Sequence, residues 1–363
     1  MPDILQFSRS TRVYIEQGSN IWEIPVLDGF SFSQATNATE ITLSEATSAA
    51  GVSRRAKQLF NDSYAPADWS FATYMRPNSG SVVEEALWTN FVADNAMVTT
   101  TWDHGVVKSA PATTIDFDDS NTSVIGTFNV YFVLGGCGFD ASAAAYTAAA
   151  GHTIYKITDA VANTASIDFD IEAISMITWS GFGQIISDEA SFDAQSAIVT
   201  GISGTGNFIR NRLTTLACDG SNTVPALDAN YAVVLTGGNI TFENNITYLT
   251  PDTLCSVNQP IGHITGTRSV SGNFTAYLNA DGTSTAELFE DIIGATTTIT
   301  NSFDLTFSIG GASAPKVVIN LPQAHLEVPT HSIEDVISVD ATFHGLPSSL
   351  DATDEATIVY TGS

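Results

Sequence analysis

The sequence predicts an all-β protein made of two diverged tandem copies of one domain, each a β-sandwich or barrel with one short helix. Three observations support this expectation. The chain contains 20 Phe and 10 Tyr and is rich in Thr, Ser, Asn and Gly, which together favour strands and turns. A series of short motifs occurs twice in the same order. The length of 363 residues is enough for two domains that each bury a core.

The first repeated element is an alternating strand followed by two glycines. Residues 128–136 (FNVYFVLGG) return as residues 303–311 (FDLTFSIGG), with both Phe and both Gly positions identical. Apolar side chains at every second position are typical of a strand with one buried face. We expect the final glycines of each segment to form a turn, and Gly135 and Gly136 to need a positive φ there.

The second repeated element is a strand followed by a short helix. Residues 69–75 (WSFATYM) match residues 272–278 (GNFTAYL). A short acidic and apolar stretch follows each of them, at 85–88 (EALW) and at 287–289 (ELF). The sequence therefore predicts one helix in each copy, directly after equivalent strands.

The order of the motifs continues towards the end of each copy. Residues 171–174 (IEAI) lead to 179–181 (WSG), as residues 333–336 (IEDV) lead to 343–345 (FHG). This common order predicts a duplication, because single alternating strands recur by chance in any β protein. The expected boundaries are a first copy at 9–184, a connector rich in Gly, Ser and Asp at 185–206, and a second copy at 207–363.

The chain carries few charges, and most of them are negative. Only 14% of its residues are charged, and 12 Lys and Arg stand against 39 Asp and Glu, for a net charge of −27. Tight nucleic-acid binding relies on cations that neutralise phosphates, so this composition argues against a protein that grips DNA. Acidity that merely keeps the protein soluble is the alternative interpretation.

Cysteine use and hydropathy indicate a cytoplasmic site of synthesis and folding. Three cysteines are too few for a disulfide framework, and an odd number leaves one of them unpaired. The N-terminal residues lack a secretory signal, and no stretch approaches the roughly 18 apolar residues that would span a membrane. We therefore expect no membrane binding by the chain itself.

Motifs for catalysis and for metal binding are absent from the sequence. The six histidines show no H-E-x-x-H spacing, and there is no G-x-S-x-G elbow, Walker loop or dinucleotide fingerprint. Alternating carboxylates at 116–119 (DFDD) and 168–170 (DFD) resemble a solvated strand face more than a calcium loop. We expect a protein that is not an enzyme, with no catalytic residue, no metal and no cofactor.

A long segment without clear periodicity, from Asn37 to Asp68, is the candidate functional region. Loops of this length in compact domains are usually functional or disordered. The segment holds 3 of the 12 cations, and its candidate contact residues are Arg54, Arg55, Lys57, Asn61 and Asp62. It is either a solvated surface turn or an arm that pairs with acidic surface on a neighbouring subunit.

Several of these segments together resemble a known family. Residues 60–71 (FNDSYAPADWSF) and 166–181, which begin SIDFDIE and end WSG, are similar to the major tail tube protein of long-tailed bacteriophages. Residues 244–251 (NNITYLTP) and 272–278 resemble the subgroup whose subunit carries two tube domains. The resemblance extends from about residue 12 to residue 360.

The resemblance implies a structural protein of the virion, assembled in the host cytoplasm. Three chains would form a trimeric, pseudo-hexameric ring, and stacked rings would form a hollow tube that conducts the viral DNA into the host cell. The implied partners are further copies of the chain, a tape measure protein and genomic DNA in the lumen, and tail terminator and tail tip proteins at the ends.

The resemblance also gives the acidic charge and the long segment a role. An acidic lumen would repel the phosphate backbone. The long segment from Asn37 to Asp68 would be an arm that reaches an adjacent ring, with Arg54, Arg55 and Lys57 as candidate salt-bridge donors. No immunoglobulin-like domain is expected after the second copy, so the outer surface should be smooth. The alternative function is a β-sandwich adhesin or carbohydrate-binding module, which would be a monomer or small oligomer with a soluble ligand.

Overall fold

The computed structural model describes residues 5–41, 58–79, 81–92, 106–117, 125–136, 145–194, 198–199, 207–220, 227–252, 254, 257–294, 302–333 and 335–362. Within them the all-β expectation is confirmed, with 25 strands and two α-helices. The strands are β1 Gln6–Gln17, β2 Asn20–Ile24, β3 Ser31–Ile41, β4 Gln58–Tyr74, β5 Pro77–Asn78, β6 Ser81–Val82, β7 Val106–Ser109, β8 Ala112–Asp116, β9 Phe128–Gly136, β10 Ala145–Thr147, β11 Thr153–Asp170, β12 Met176–Gly183, β13 Ile186–Asp188, β14 Ser191–Asp193, β15 Ile198–Val199, β16 Thr215–Gly220, β17 Val234–Glu243, β18 Thr247–Leu249, β19 Gly262–Ile264, β20 Ser269–Tyr277, β21 Phe303–Ile309, β22 Lys316–Leu326, β23 Thr330–Ser332, β24 Ser338–Gly345 and β25 Thr357–Thr361. The helices are α1 Glu85–Val92 and α2 Thr285–Gly294, with 3-10 turns at Ala148–Ala150 and Asn211–Leu213.

One antiparallel sheet runs across both halves of the chain and is called the main sheet. Its strand order is β3–β4–β12–β11–β17–β20–β24. The first four strands come from the first half of the chain and the last three from the second half. The two halves are joined by seven consecutive residue pairs between β11 and β17, from Thr164 opposite Glu243 to Asp170 opposite Gly237.

A second layer of strands covers one face of the main sheet. It contains β9, β1 and β2 over the first half, and β16, β21, β22, β25, β8 and β7 over the second. Aromatic rings interlock between the layers: Trp69 lies 5.9 Å from Phe128, and Phe307 lies 5.5 Å from Phe343. The arrangement is a β-sandwich whose core is the apolar side chains between the two layers.

The strands of the two halves pair in the same order. The first half has β3–β4–β12–β11–β9–β1, and the second half has β17–β20–β24–β22–β21–β16. A helix follows β4 and another follows β20, as the motifs predict. The register of β12 on β4 differs by two residues from that of β24 on β20. Trp179 pairs with Phe71, whereas Phe343, its counterpart in the second half, pairs with Gly272 and not with Phe274. An even shift keeps the same side chains on the core face.

The two halves also exchange elements. The β7–β8 hairpin from the first half pairs with β25 near the end of the chain. Helix α1 is buried on all sides, and Trp88 within it lies 4.8 Å from Trp179 and 5.8 Å from Phe242. The described parts of the expected connector, β13, β14 and β15, pair with strands of the first half. The boundaries 9–184, 185–206 and 207–363 stay predictions.

The prediction of a turn at the paired glycines is wrong for the first half of the chain and correct for the second. Gly135 and Gly136 belong to β9 and pair with Phe7 and Gln6, so the ladder continues through them. This happens because β1 begins early enough to supply partners. Gly310 and Gly311 do form a turn, with φ of +97° and +89°.

Candidate assembly surfaces

One face of the main sheet packs on the core, and we call the other the open face. Large apolar groups such as Trp69, Trp179 and Phe343 are buried on the core face. The open face consists of cross-strand rows in which most side chains are small and polar, with Tyr74, Met176 and His344 as larger members. The rows are Ser31, Ser70, Ser180, Thr164, Glu243 and Ser269; Ala72, Thr178, Ser166, Thr241, Ser271 and His344; Tyr74, Met176, Asp168, Asn239, Asn273 and Thr342; and Asp170, Gly237, Thr275 and Asp340.

The open face is acidic. The one Lys or Arg in its seven strands, all of them described, is Lys156, which lies in the part of β11 that pairs with β9. Neighbouring hydroxyls bond to each other, with Ser166 Oγ 3.1 Å from Thr241 Oγ1. Its carboxylates are Asp68, Asp168, Asp170, Glu243 and Asp340. Such a surface repels phosphate groups and offers them no cation to bind.

The main sheet ends in two strand edges. On one side, β3 pairs with β4 and has no second neighbour in the described part of the chain. On the other side, β24 is followed by β23, which pairs with β24 alone among the described strands. Unpaired edges of this kind expose backbone donors and acceptors that another strand can pair with.

The expected long loop is, in its described parts, a projecting hairpin of β3 and β4. We call residues 36–41 and 58–64 the arm. Asn61 lies opposite Ala38, and Thr39 Oγ1 donates a hydrogen bond to the carboxylate of Asp62. The backbone N–H of Asn258 donates to the carbonyl of Asp62 at 3.1 Å, which braces the arm from the second half. The sequence of the arm does not alternate between apolar and polar residues, because both faces of its two strands are mostly exposed.

The cations that were expected to act in this segment, Arg54, Arg55 and Lys57, lie outside the described residues. Asn61 and Asp62 are both exposed on β4. Their role in contacts between subunits stays a prediction.

Exposed apolar side chains at the two ends of the main-sheet strands were missed by the sequence reasoning. At the end that carries the arm, Leu59 is 63% exposed and Phe60 is 50% exposed. We call this end the arm rim, and its other exposed apolar residues are Ile41, Leu249, Val257, Ile261 and Ile264. We call the opposite end the far rim, and its exposed apolar residues are Ile171, Ile174, Met176, Phe208, Leu213, Val234, Tyr277 and Val336. A hydropathy pattern cannot find them, because strand pairing alone decides which strand ends lie together.

No family model matches the chain. It is 31% identical over 370 residues to the tail tube protein pb6 of Escherichia phage T5, and the match covers 97% of this chain and 75% of that relative. The chain belongs to the phage tail tube proteins. The resemblance to this family is thereby confirmed, and with it a structural role in the tail tube and a place in the virion.

Elsewhere in this tail tube protein, three carboxylates meet beside α2. The side-chain oxygens of Asp228, Glu287 and Asp291 lie within 4.8 Å of one another, the kind of grouping that can hold a cation. The phenol of Tyr231 donates a hydrogen bond to Asp291, and desolvation, followed by the charges of neighbouring acids, raises the pKa of Glu287. Sequence reasoning did not bring these residues together, because 59 positions separate Asp228 from Glu287. Within the described chain, no helix is long and apolar enough to cross a bilayer.

Proposed function

We propose that three copies of this tail tube protein form a pseudo-hexameric ring, and that stacked rings form a hollow tube that conducts the viral DNA into the host cell. The observation that carries the proposal is the open face of the main sheet, which forms the wall of the lumen. It combines small hydroxyl side chains with carboxylates and has no Lys or Arg in its rows.

Electrostatics explains why such a wall suits DNA passage. A carboxylate and a phosphate about 10 Å apart repel by only ~0.4 kcal/mol in water, and salt screens them further. Many weak repulsions around the ring keep the duplex away from the wall without trapping it at any point. A lumen lined with cations would instead hold the phosphates and slow the DNA.

Ring closure follows from the junction that already exists within the chain. Strands β11 and β17 join the two halves by backbone pairing along Thr164–Asp170 and Gly237–Glu243. The corresponding pairing between chains joins β23 of one copy to β3 of the next, because these are the edges of the main sheet. The identical pairing order of the two halves supports a ring in which each chain fills two of six equivalent positions, closed by head-to-tail contacts.

The proposed partners follow from this architecture. The chain associates with copies of itself, and the tube encloses a tape measure protein and later the genomic DNA. Tail terminator and tail tip proteins bind the two ends. Assembly takes place in the host cytoplasm.

Electron microscopy of the purified protein or of the virion tests the ring. End-on views averaged without imposed symmetry should show stacked rings with three-fold or pseudo-six-fold symmetry. Rings of six chains would overturn the trimer, and dispersed monomers under every condition would favour the adhesin or carbohydrate-binding alternative.

A lumen variant tests DNA conduction. Replacing Ser166 and Thr241 by Lys places cations on the open face, and replacing both by Asp is the matched control. Virions with the Lys pair should assemble tails of normal length but release their DNA more slowly than the control. Equal release rates from the two variants would contradict the assignment of this face to the lumen.

The arm is proposed to reach an adjacent ring, with Arg54, Arg55, Lys57, Asn61 and Asp62 as its contact residues. Reversing the charge of the three cations should impair ring stacking. Reversal of Arg9, Lys156 and Lys316, which lie outside the arm, changes the net charge equally and is the control. If the arm variant assembles tubes as well as the wild type does, the three cations do not contribute to the contact between rings.

A further inference from the structure

Strand β22 belongs to both layers of the β-sandwich, and its last residues form a corner between them. Residues 316–320 pair with β25, whereas residues 324–326 pair with β24. The corner is held by three residue pairs, before β23 continues along the edge of β24. In the first half, the corresponding strand β11 pairs with β12 at seven positions. An added link between β22 and β24 would therefore strengthen a short ladder.

A pair of histidines lies in this short ladder. His325 on β22 is directly opposite His344 on β24. Both side chains project to the open face, because Phe343, the residue before His344, is buried on the core face. In such pairs the Cβ atoms are about 5 Å apart, so two imidazoles can reach the same ion. The corresponding pair in the first half is Thr164 and Ser180, whose small hydroxyls match the rest of the open face, as two imidazoles do not.

Glu327 brings a carboxylate to the same part of the open face. It follows His325 by two positions, so its side chain projects to the same side of the strand. Its Oε1 lies 3.1 Å from Nε2 of His344. The side chains of Glu327 and His344 are 55% and 45% exposed, so an ion can reach them from solvent. The Nδ1 atom of His325 is buried and has no hydrogen-bond partner in the described part of the chain, which leaves that imidazole available as a ligand.

Binding of an ion by these three residues requires a side-chain rotation. In the structure the ligand atoms of His325, His344 and Glu327 do not all lie within 4.8 Å of one another, although Glu327 and His344 are in contact. Backbone pairing already fixes the spacing of the two strands. The imidazole of His325 therefore only has to move between staggered rotamers to join the other two groups, and the ladder itself stays unchanged.

We propose that His325, His344 and Glu327 form a binding site for one divalent transition-metal ion, which links β22 to β24 at the corner. Two imidazoles and a carboxylate are a ligand set of tetrahedral zinc sites, in which water takes the fourth position. Imidazole ligands also favour Zn²⁺, Ni²⁺ and Cu²⁺ over Mg²⁺ and Ca²⁺. The sequence led us to expect no metal, because 19 positions separate the two histidines and only strand pairing brings them together.

Titration calorimetry of the full chain with Zn²⁺, after removal of metals with EDTA, tests the site. The wild type should bind one ion per chain at this site. His325→Gln, His344→Gln and Glu327→Gln should each weaken binding at least about tenfold, since the loss of a group that merely orients a metal ligand already costs about 10–100-fold. The controls are His331→Gln, at an exposed histidine on β23, and Asp228→Asn, in the three-carboxylate group beside α2. Both controls should bind Zn²⁺ at the proposed site as the wild type does.

Two further readouts separate metal binding from damage to the fold. In EDTA the histidine variants should unfold at the urea midpoint of the wild type, whereas Zn²⁺ should raise the midpoint of the wild type and leave theirs unchanged. Co²⁺ in place of Zn²⁺ should give the wild type the intense visible absorption of a four-coordinate ion, which does not depend on any variant.

The outcomes that would overturn the proposal are equally definite. They are a wild type that binds no Zn²⁺, affinity that survives in either histidine variant, an equal loss in the controls, which would indicate scattered surface binding, and the weak absorption of six-coordinate Co²⁺. Neither rings nor tubes are needed for these measurements, so their result is independent of the proposed function.

Discussion

Glu84, directly before α1, is a carboxylate buried in the core shared by the two halves. Its Oε1 accepts a hydrogen bond from Thr73 Oγ1 at 2.9 Å, whereas its Oε2 has no partner among the described residues. Burial raises the pKa of Glu84 to about 7, even though the Thr73 bond and the charge of Arg76 lower it. Ionisation of this group therefore opposes folding.

The Glu84→Gln variant measures how much the ionisation of Glu84 lowers the free energy of unfolding. In the unfolded chain the carboxyl ionises near its ordinary value of 4.5. Below that pH it is protonated in both states and has no effect, and its destabilisation grows as the pH rises towards 7 and is constant above it. A pKa difference of about 2.5 corresponds to ~3 kcal/mol. Because Gln stays neutral, the variant should gain stability relative to the wild type by ~2–3 kcal/mol between pH 5 and pH 8.

Urea unfolding of the unassembled subunit, followed by tryptophan fluorescence, provides the measurement. The quantity to compare is the difference in free energy of unfolding between variant and wild type at each pH, since any constant cost of the amide cancels. Glu172→Gln removes an exposed carboxylate and should show little change over the same range. A difference for Glu84→Gln that stays within about 0.5 kcal/mol from pH 5 to pH 8 would refute the argument.

Three further predictions concern packing. Gly181→Ala should destabilise the subunit by more than ~3 kcal/mol, because its Cβ would lie 1.9 Å from the carbonyl oxygen of Val161, whereas Gly262→Ala has open space and should stay within ~1 kcal/mol. Tyr360→Phe removes the acceptor of the Trp88 indole N–H at 3.0 Å and should cost ~1 kcal/mol. Burial raises the pKa of the Cys218 thiol, so iodoacetamide at pH 8 should modify it only after unfolding.

These measurements share simple readouts. The midpoints of urea unfolding are measured for Gly181→Ala and Gly262→Ala. Equal midpoints would contradict the argument that a Cβ at position 181 collides with the backbone. Unchanged stability of Tyr360→Phe would mean that the bond between the halves contributes nothing. Peptide mapping by mass spectrometry follows Cys218, and its modification in the native subunit would show that the thiol is accessible.

Local patterns predicted much of the fold. The repeated alternating segments lie on β9 and β21, and the two short helices follow β4 and β20. These predictions succeeded because half-buried strands carry a period of two that is visible in the sequence. The arm was recognised only as a long segment without periodicity, and its strands were not predicted, because both faces of residues 58–64 are mostly exposed and the sequence there shows no alternation.

The sequence by itself determined the β class, the acidic charge and the family resemblance, because all three depend on composition and on short ordered motifs. Only the tertiary structure decided which strands are neighbours. Pairing of β11 with β17 places Asp168 and Asp170 in an open face with residues from the other half, and pairing of β8 with β25 binds the halves together. The raised pKa of Glu84 likewise requires burial by residues distant in sequence. Strand order and register depend on contacts between segments far apart in the chain, and a local period cannot encode them.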